Sequence, residues 1–187
     1  MTSLAPSIIT SVNKLLIVTA DDVGLHPAMT AGAIRAHHQG IVTACSVVAN
    51  GAALADAVEQ LASAPDISVG IHLTLVEERP LSDPASVPTL IGADGRFHRS
   101  FAAFVPRFAA GLIRIDQVEK ELRAQVERLL RDGLRLEHAN GHQHLHMLPA
   151  IFERVLALCH EYGIRYVRTV DDAGGAGAPM ILSLIHI

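Results

Sequence analysis

Short apolar runs alternate with longer amphipathic stretches along most of this chain, and that rhythm restricts the fold more than any other feature. Residues 14–20 (KLLIVTA), 41–48 (IVTACSVV), 67–75 (ISVGIHLTL), 134–140 (LRLEHAN) and 164–169 (IRYVRT) read as strands. The continuous apolar character of the first run marks a strand buried on both faces. Between the strands, residues 28–38, 52–64, 116–131 and 149–162 read as helices, with apolar residues at helical spacing. Pro27 suits a first helical turn, Asp116 an N-cap, and Gly40, Gly133 and Gly163 the left-handed residue that ends a helix. Strands alternating with helices of this length specify parallel βαβ units, hence an α/β fold. Right-handed crossovers leave a doubly wound open sheet or a (β/α) barrel, and both gather chemistry at the C-terminal ends of their strands.

Residues 77–99 break the rhythm. Pro80, Pro84 and Pro88, with Gly92, Asp94 and Gly95, mark a long excursion of the kind that serves as a lid or stays disordered. Phe97, Phe101, Phe104 and Phe108 follow closely and read as helix core, with a substrate-facing flap as the alternative.

Composition narrows the function classes. At 187 residues, half of them hydrophobic and 18% charged, the chain suits one folded domain. A net charge of −4 offers no basic footprint for nucleic acid. No apolar run is long enough for a transmembrane segment, and residues 1–13 read as a leader without the layout of a signal peptide. Cys45 and Cys159 form no C-x-x-C and suit two buried thiols in a reducing cytoplasm. A homo-oligomer stays open. Residues 14–170 are the expected domain, and 171–187 a linker and tail. Gly174, Gly175 and Gly177 do not match a dinucleotide-binding loop. Residues 181–187 (ILSLIHI) are apolar with no strand expected beside them. They read as a non-native end on a barrel truncated at its C-terminus, against the alternative of a genuine sixth strand. His186 is therefore not counted as a ligand.

Four of the eleven histidines fall within residues 138–146, at His138, His142, His144 and His146. Extended, the last three would share one side; helical, His138, His142 and His146 would lie four apart on one face. The plain alternative is a histidine-rich polar loop. Asp21-Asp22, His72 and His142 each fall at the end of an expected strand, on strands one, three and four, so three polar sites meet on one rim. Adjacent aspartates can cap a helix. Joined to two histidines, they supply one carboxylate for a metal and one left free, with positions open for water and substrate. That set suits hydrolysis of an amide or ester. The ligands fit Zn²⁺ and, as a mixed oxygen and nitrogen set, Mg²⁺. No G-x-S-x-G is present to support a serine hydrolase. Another metallohydrolase, such as a phosphoesterase, or a non-catalytic metal-binding barrel fragment, remains the alternative.

Three segments carry a resemblance: Thr19-Ala20-Asp21-Asp22-Val23-Gly24-Leu25, Gly70-Ile71-His72-Leu73-Thr74-Leu75 and Gly141-His142-Gln143-His144-Leu145-His146. In this order they resemble the signatures of the YdjC-like carbohydrate deacetylases, with the likeness running from about residue 15 to 170. The resemblance implies a TIM-like (β/α) barrel and metal-dependent removal of N-acetyl groups from an amino sugar. It implies metal on Asp22, His72 and His142, with Asp21 as general base and the general acid supplied by a later segment. His144, His146 and Asn140 are then candidates for contact with substrate or for support of the ligands. Val23 stands where phenylalanine is usual. Asn140 stands where many members carry aspartate, and in this the chain is more similar to the hopanoid-biosynthesis-associated branch, whose substrate would be a glycosylated hopanoid.

Overall fold

The structure, a computed structural model, describes residues 16–171 and 181–186, with side chains through residue 169. The expected leader and the Gly174–Gly177 stretch lie outside the described residues. Five parallel strands, β1 (Thr19–Val23), β2 (Ala44–Val47), β3 (Ser68–Leu73), β4 (His138–Gly141) and β5 (Tyr166–Asp171), stand side by side in chain order. The helices are α1 (Pro27–Gln39), α2 (Leu54–Leu61), α3 (Phe101–Ala109), α4 (Ile115–Arg131) and α5 (Pro149–Tyr162). Sequential order removes the doubly wound alternative, which needs a reversal of strand order. The expected barrel is not closed: among the described residues the sheet is open, with β1 at one edge and a sixth strand at the other. That strand, β6 (Ile181–His186), runs antiparallel along β5, so the segment expected to lack a neighbour has one.

Strand alternation separates two unlike faces. Cys45, Val47, Ile71, Leu73, Ala139 and Val167 join one buried apolar cluster with Ala33 and Ile34 of α1, Leu54 and Leu61 of α2, Val118, Leu122 and Leu129 of α4, and Ile151 and Val155 of α5. The register aligns the other face as Thr19 and Asp21, Ala44 and Ser46, Ser68, Gly70 and His72, then His138 and Asn140. Tyr166 pairs with His138 and carries this face onto β5, where Arg168 follows two residues on. The strands are thus apolar on the helix side and polar or small on the other, which corrects the expectation of a first strand apolar on both faces. The first strand also starts later than expected: Leu16 and Ile17 precede it and are exposed, while Asp21 and Asp22 lie within it rather than after it.

Local signals explain the helix ends. Pro27 opens α1, where the His26 imidazole accepts a hydrogen bond from the Ala28 amide. Gly133 (φ +85°) and Gly163 (φ +70°) adopt the left-handed conformation at the ends of α4 and α5. Gly40 does not, ending α1 at φ −134°. Asp116 is not the cap of α4 either. It lies in the first turn, and its carboxylate accepts from the Arg114 guanidinium at 2.8 and 3.0 Å, so no cap bond forms. Cys45 and Cys159 are free and buried, as expected, and burial pushes both thiols up to about 12.

The excursion is tied down by an unexpected polar ladder on α4. Gln117, Glu121 and Gln125, spaced four apart, are all buried. Gln117 accepts from Thr89; Glu121 accepts from the Leu81 and Ser82 amides; Gln125 bonds both the amide and the carbonyl of Thr74. A helix face that would otherwise pack on apolar neighbours instead satisfies loop backbone, which must be paired once buried. Phe97 and Phe104 enter the core as expected, whereas Phe101 is 43% exposed.

Candidate metal centre

The centre begins with a bulge in β1. Between Ala20 and Val23 the strand spends one residue more than β2 does between Cys45 and Val47, and Asp22 takes φ +62°. In a regular strand, neighbouring side chains point to opposite faces. The extra residue re-aims one of them, so both carboxylates reach the same polar face.

Asp22 meets two histidines. Its Oδ1 lies 3.0 Å from His142 Nδ1 and 3.2 Å from His72 Nε2, and the two imidazole nitrogens are 3.3 Å apart. Ligands arranged tetrahedrally around one zinc ion at about 2.0–2.1 Å would sit roughly 3.3–3.4 Å from one another, within about 0.4 Å of these separations. The three side chains therefore fit a shared divalent cation, and they are the one such cluster among the described residues. Each ring is turned by its outer neighbour. Asn140 Oδ1 can only accept, so His72 donates from Nδ1 at 2.7 Å and keeps its Nε2 lone pair toward Asp22. The Glu77 carboxylate lies 3.1 Å from His142 Nε2 and accepts from it when Nδ1 is given to a cation. When the nitrogens facing Asp22 carry protons instead, the hydrogen bonds from His142 and His72 hold its carboxyl well below the usual range. The Asp22 bond in turn raises His142.

Asp21 stands apart from the three. Its Oδ1 accepts from Ser46 Oγ (2.8 Å), Asn140 Nδ2 (2.9 Å) and Arg168 Nη1 (2.9 Å), while Oδ2 accepts from Arg168 Nη2 alone. Burial pushes this carboxyl up, but the hydrogen bond and charge of Arg168 outweigh it and the net displacement is downward. Asn140 thus joins the two halves, accepting from His72 and donating to Asp21.

The remaining histidines are placed elsewhere. The run is neither an extended strand nor one helix: β4 ends at Gly141, and residues 142–147 form a 3-10 turn kinked by left-handed Gln143 (φ +50°) and His144 (φ +57°). That kink separates His142 from the rest. His146 folds back beneath Gly141, where any Cβ would meet its ring at 2.7 Å, and its Nε2 donates to the Arg168 carbonyl. Its Nδ1 and the Nδ1 of His144 are buried without a hydrogen-bond partner. His138 is buried two residues before Asn140, beside Gly70, and its Nε2 has no partner. Burial pushes His138 and His146 down to about 4.

Sequence reasoning missed Ser46, Glu77 and Arg168. Ser46 is the polar interruption of an apolar run, and Arg168 occupies the same face as Tyr166 two residues on, so both left a weak alternation signal. Glu77 left none. All four non-glycine residues with positive φ among those described, Asp22, Glu77, Gln143 and His144, border this centre. Left-handed backbone costs of order 1–3 kcal/mol at such residues, and its concentration at one place points to function.

Known proteins share much of this sequence and its fold. The family model described as "YdjC-like protein" matches residues 15–182. A carbohydrate deacetylase of Oceanobacillus iheyensis is 36% identical over 159 residues, 83% of this chain and 66% of the relative. One from Homo sapiens is 38% identical over 167 residues, 87% of this chain and 50% of the relative. A solved structure from Enterococcus faecalis V583, named for cellobiose-phosphate cleavage, is 29% identical and covers 82% of this chain and 57% of its own, with a TM-score of 0.74. The chain spans half to two-thirds of the length of the curated relatives it matches. It belongs to the YdjC-like protein family.

Proposed function

We propose that this chain carries the metal and general-base portion of a carbohydrate deacetylase, hydrolysing the N-acetyl amide of an amino sugar. The observation that carries the reading is the meeting of Asp22, His72 and His142 beside a second, separately held carboxylate, Asp21. The names of the relatives support the substrate class. When bound, a divalent cation, Zn²⁺ or Mg²⁺, would polarise the acetyl carbonyl and make a water more acidic.

The chain's own residues do the rest. Asp22, His72 and His142 supply the ligands, with Asn140 and Glu77 holding the two rings in the useful tautomers. Asp21, ionised at neutral pH, takes the proton of the attacking water at Oδ2, the oxygen with the fewer hydrogen bonds. The water oxygen bonds to the acetyl carbon, the C–N bond breaks, and the proton passes on to the departing amine. Arg168, Ser46 and Asn140 keep Asp21 oriented throughout. Sequential strand order is also the order of a (β/α) barrel, which we carry as the complete architecture. The Asn140-Gly141-His142-Gln143-His144 form favours a glycosylated hopanoid as the acetylated substrate.

The test is release of acetate against release of phosphate, from N-acetylated chito-oligosaccharides and from phosphorylated disaccharides, with Zn²⁺ or Mg²⁺ supplied. Acetate with one new free amine per turnover is expected. Phosphate alone would replace this reading with a phosphoesterase, and bound metal without either product would leave a binding protein.

A further inference from the structure

We infer that Glu77 is a positioning residue for the metal centre: its carboxylate fixes His142 in the Nε2–H tautomer and aims Nδ1 at Asp22 and His72. The inference rests on the metal-binding reading above. The two histidines are held differently. His72 sits within β3, 3% exposed, with Asn140 as its outer partner. His142 sits just past the end of β4, at the start of the kinked turn, with the strand residues Asp22 and His72 on its Nδ1 side alone. Glu77 supplies the constraint on the Nε2 side from the excursion, 65 residues away in sequence, at 3.1 Å.

The backbone of Glu77 is tied independently of its side chain. Its backbone is left-handed at φ +69°, a conformation unfavourable for glutamate. Its amide donates to the His98 carbonyl at 2.9 Å, and its own carbonyl accepts from Arg96 Nε at 3.0 Å. On either side, the buried Gln125 and Glu121 of α4 pin Thr74 and Leu81–Ser82. The second carboxylate oxygen accepts from Gln143 Nε2 at 2.7 Å, and Gln143 Oε1 accepts from the Phe101 amide. The excursion therefore works as an ordered brace: α4 holds the loop, the loop holds Glu77, and Glu77 holds the ligand. A carboxylate on the far nitrogen also increases the electron density at the ligating one.

The competing role is a mere anchor for the Gln143 turn, and the two are separable. Zn²⁺ affinity would be measured by competition with a chelator for the wild type, Glu77→Ala, Glu77→Gln and Gln143→Ala. In parallel, nitrogen-15 imidazole spectra of the metal-free proteins at alkaline pH would report the His142 tautomer. Glu77→Ala should weaken Zn²⁺ about 10–100-fold and lose the Nε2–H signature, as for other outer partners of ligand histidines. Glu77→Gln, which keeps a neutral acceptor and the side-chain shape, should recover part of both and serves if alanine unfolds the loop. Gln143→Ala should leave affinity within about threefold if the outer-partner effect belongs to Glu77. Wild-type affinity in Glu77→Ala, or an equal loss in Gln143→Ala, would overturn the inference. If the wild type binds no Zn²⁺, the metal reading falls and the positioning role falls with it; wild-type binding that Glu77→Ala leaves unchanged overturns the positioning role alone.

Discussion

The two faces of the sheet are built from the same five strands yet obey different rules. On the helix side, Val47, Ile71 and Val167 are fully buried among aliphatic residues, so the requirement is volume and apolarity. On the other side, Ser46, His72 and Asn140 are also buried, and there the polar side chains are joined by specific hydrogen bonds, with His138 Nε2 and Arg168 Nε as exceptions. The first face tolerates exchange among similar hydrophobes; the second is a chain of dependencies from Arg168 to Asp21, Asn140 and His72. Stability and chemistry are thus divided between opposite sides of one layer.

The largest expected effect tests whether the polar face is a ligand set. His72→Ala or His142→Ala should abolish stoichiometric Zn²⁺ binding in equilibrium dialysis, whereas His138→Ala, on the same face but away from Asp22, should bind nearly as the wild type does. Equal losses at all three would mean that the face binds through bulk polarity. Asp21→Asn comes next. It should retain metal while the deacetylation rate drops roughly 10²–10⁴-fold, the usual share of a general base. Loss of metal instead would exchange the roles of the two aspartates.

A smaller effect of the opposite kind belongs to the helix side. Ile71→Ala should cost about 2–5 kcal/mol in denaturant unfolding while the folded protein keeps its Zn²⁺ affinity. A matching fall in affinity would show that the faces are not separable. The mildest test is acid. His138 and His146 are held neutral by burial, near 4 in the folded protein against an ordinary value of 6.5. Between those values the unfolded chain binds protons that the folded one does not. Stability should therefore be complete above about pH 6.5 and decline as pH falls toward 4, by at most about 3 kcal/mol per histidine. Replacing either by a neutral residue should flatten that decline; an unchanged slope would show that neither contributes.

Among the described residues no helix is long and apolar enough to cross a membrane, as the absence of a long apolar run indicated. Parallel α/β architecture was legible because apolar periodicity is a local property: α5 and α4 lie where the pattern puts them, within a residue. The three metal-centre segments were legible because strand ends of a parallel sheet share one rim, so the Asp21-Asp22 pair, His72 and His142 could be brought together from strand order, while the choice of Asp22 came only from the family resemblance. Tertiary structure alone decided the rest. Whether Asp21 and Asp22 share a face depends on one bulge, set by pairing with β2. The split of the histidine run depends on a left-handed kink at Gln143 and His144. Glu77 and Arg168 join the centre across 65 and 147 residues of chain. Periodicity reports which side of its own element a residue faces; it carries no term for a hydrogen bond whose partner lies on another element.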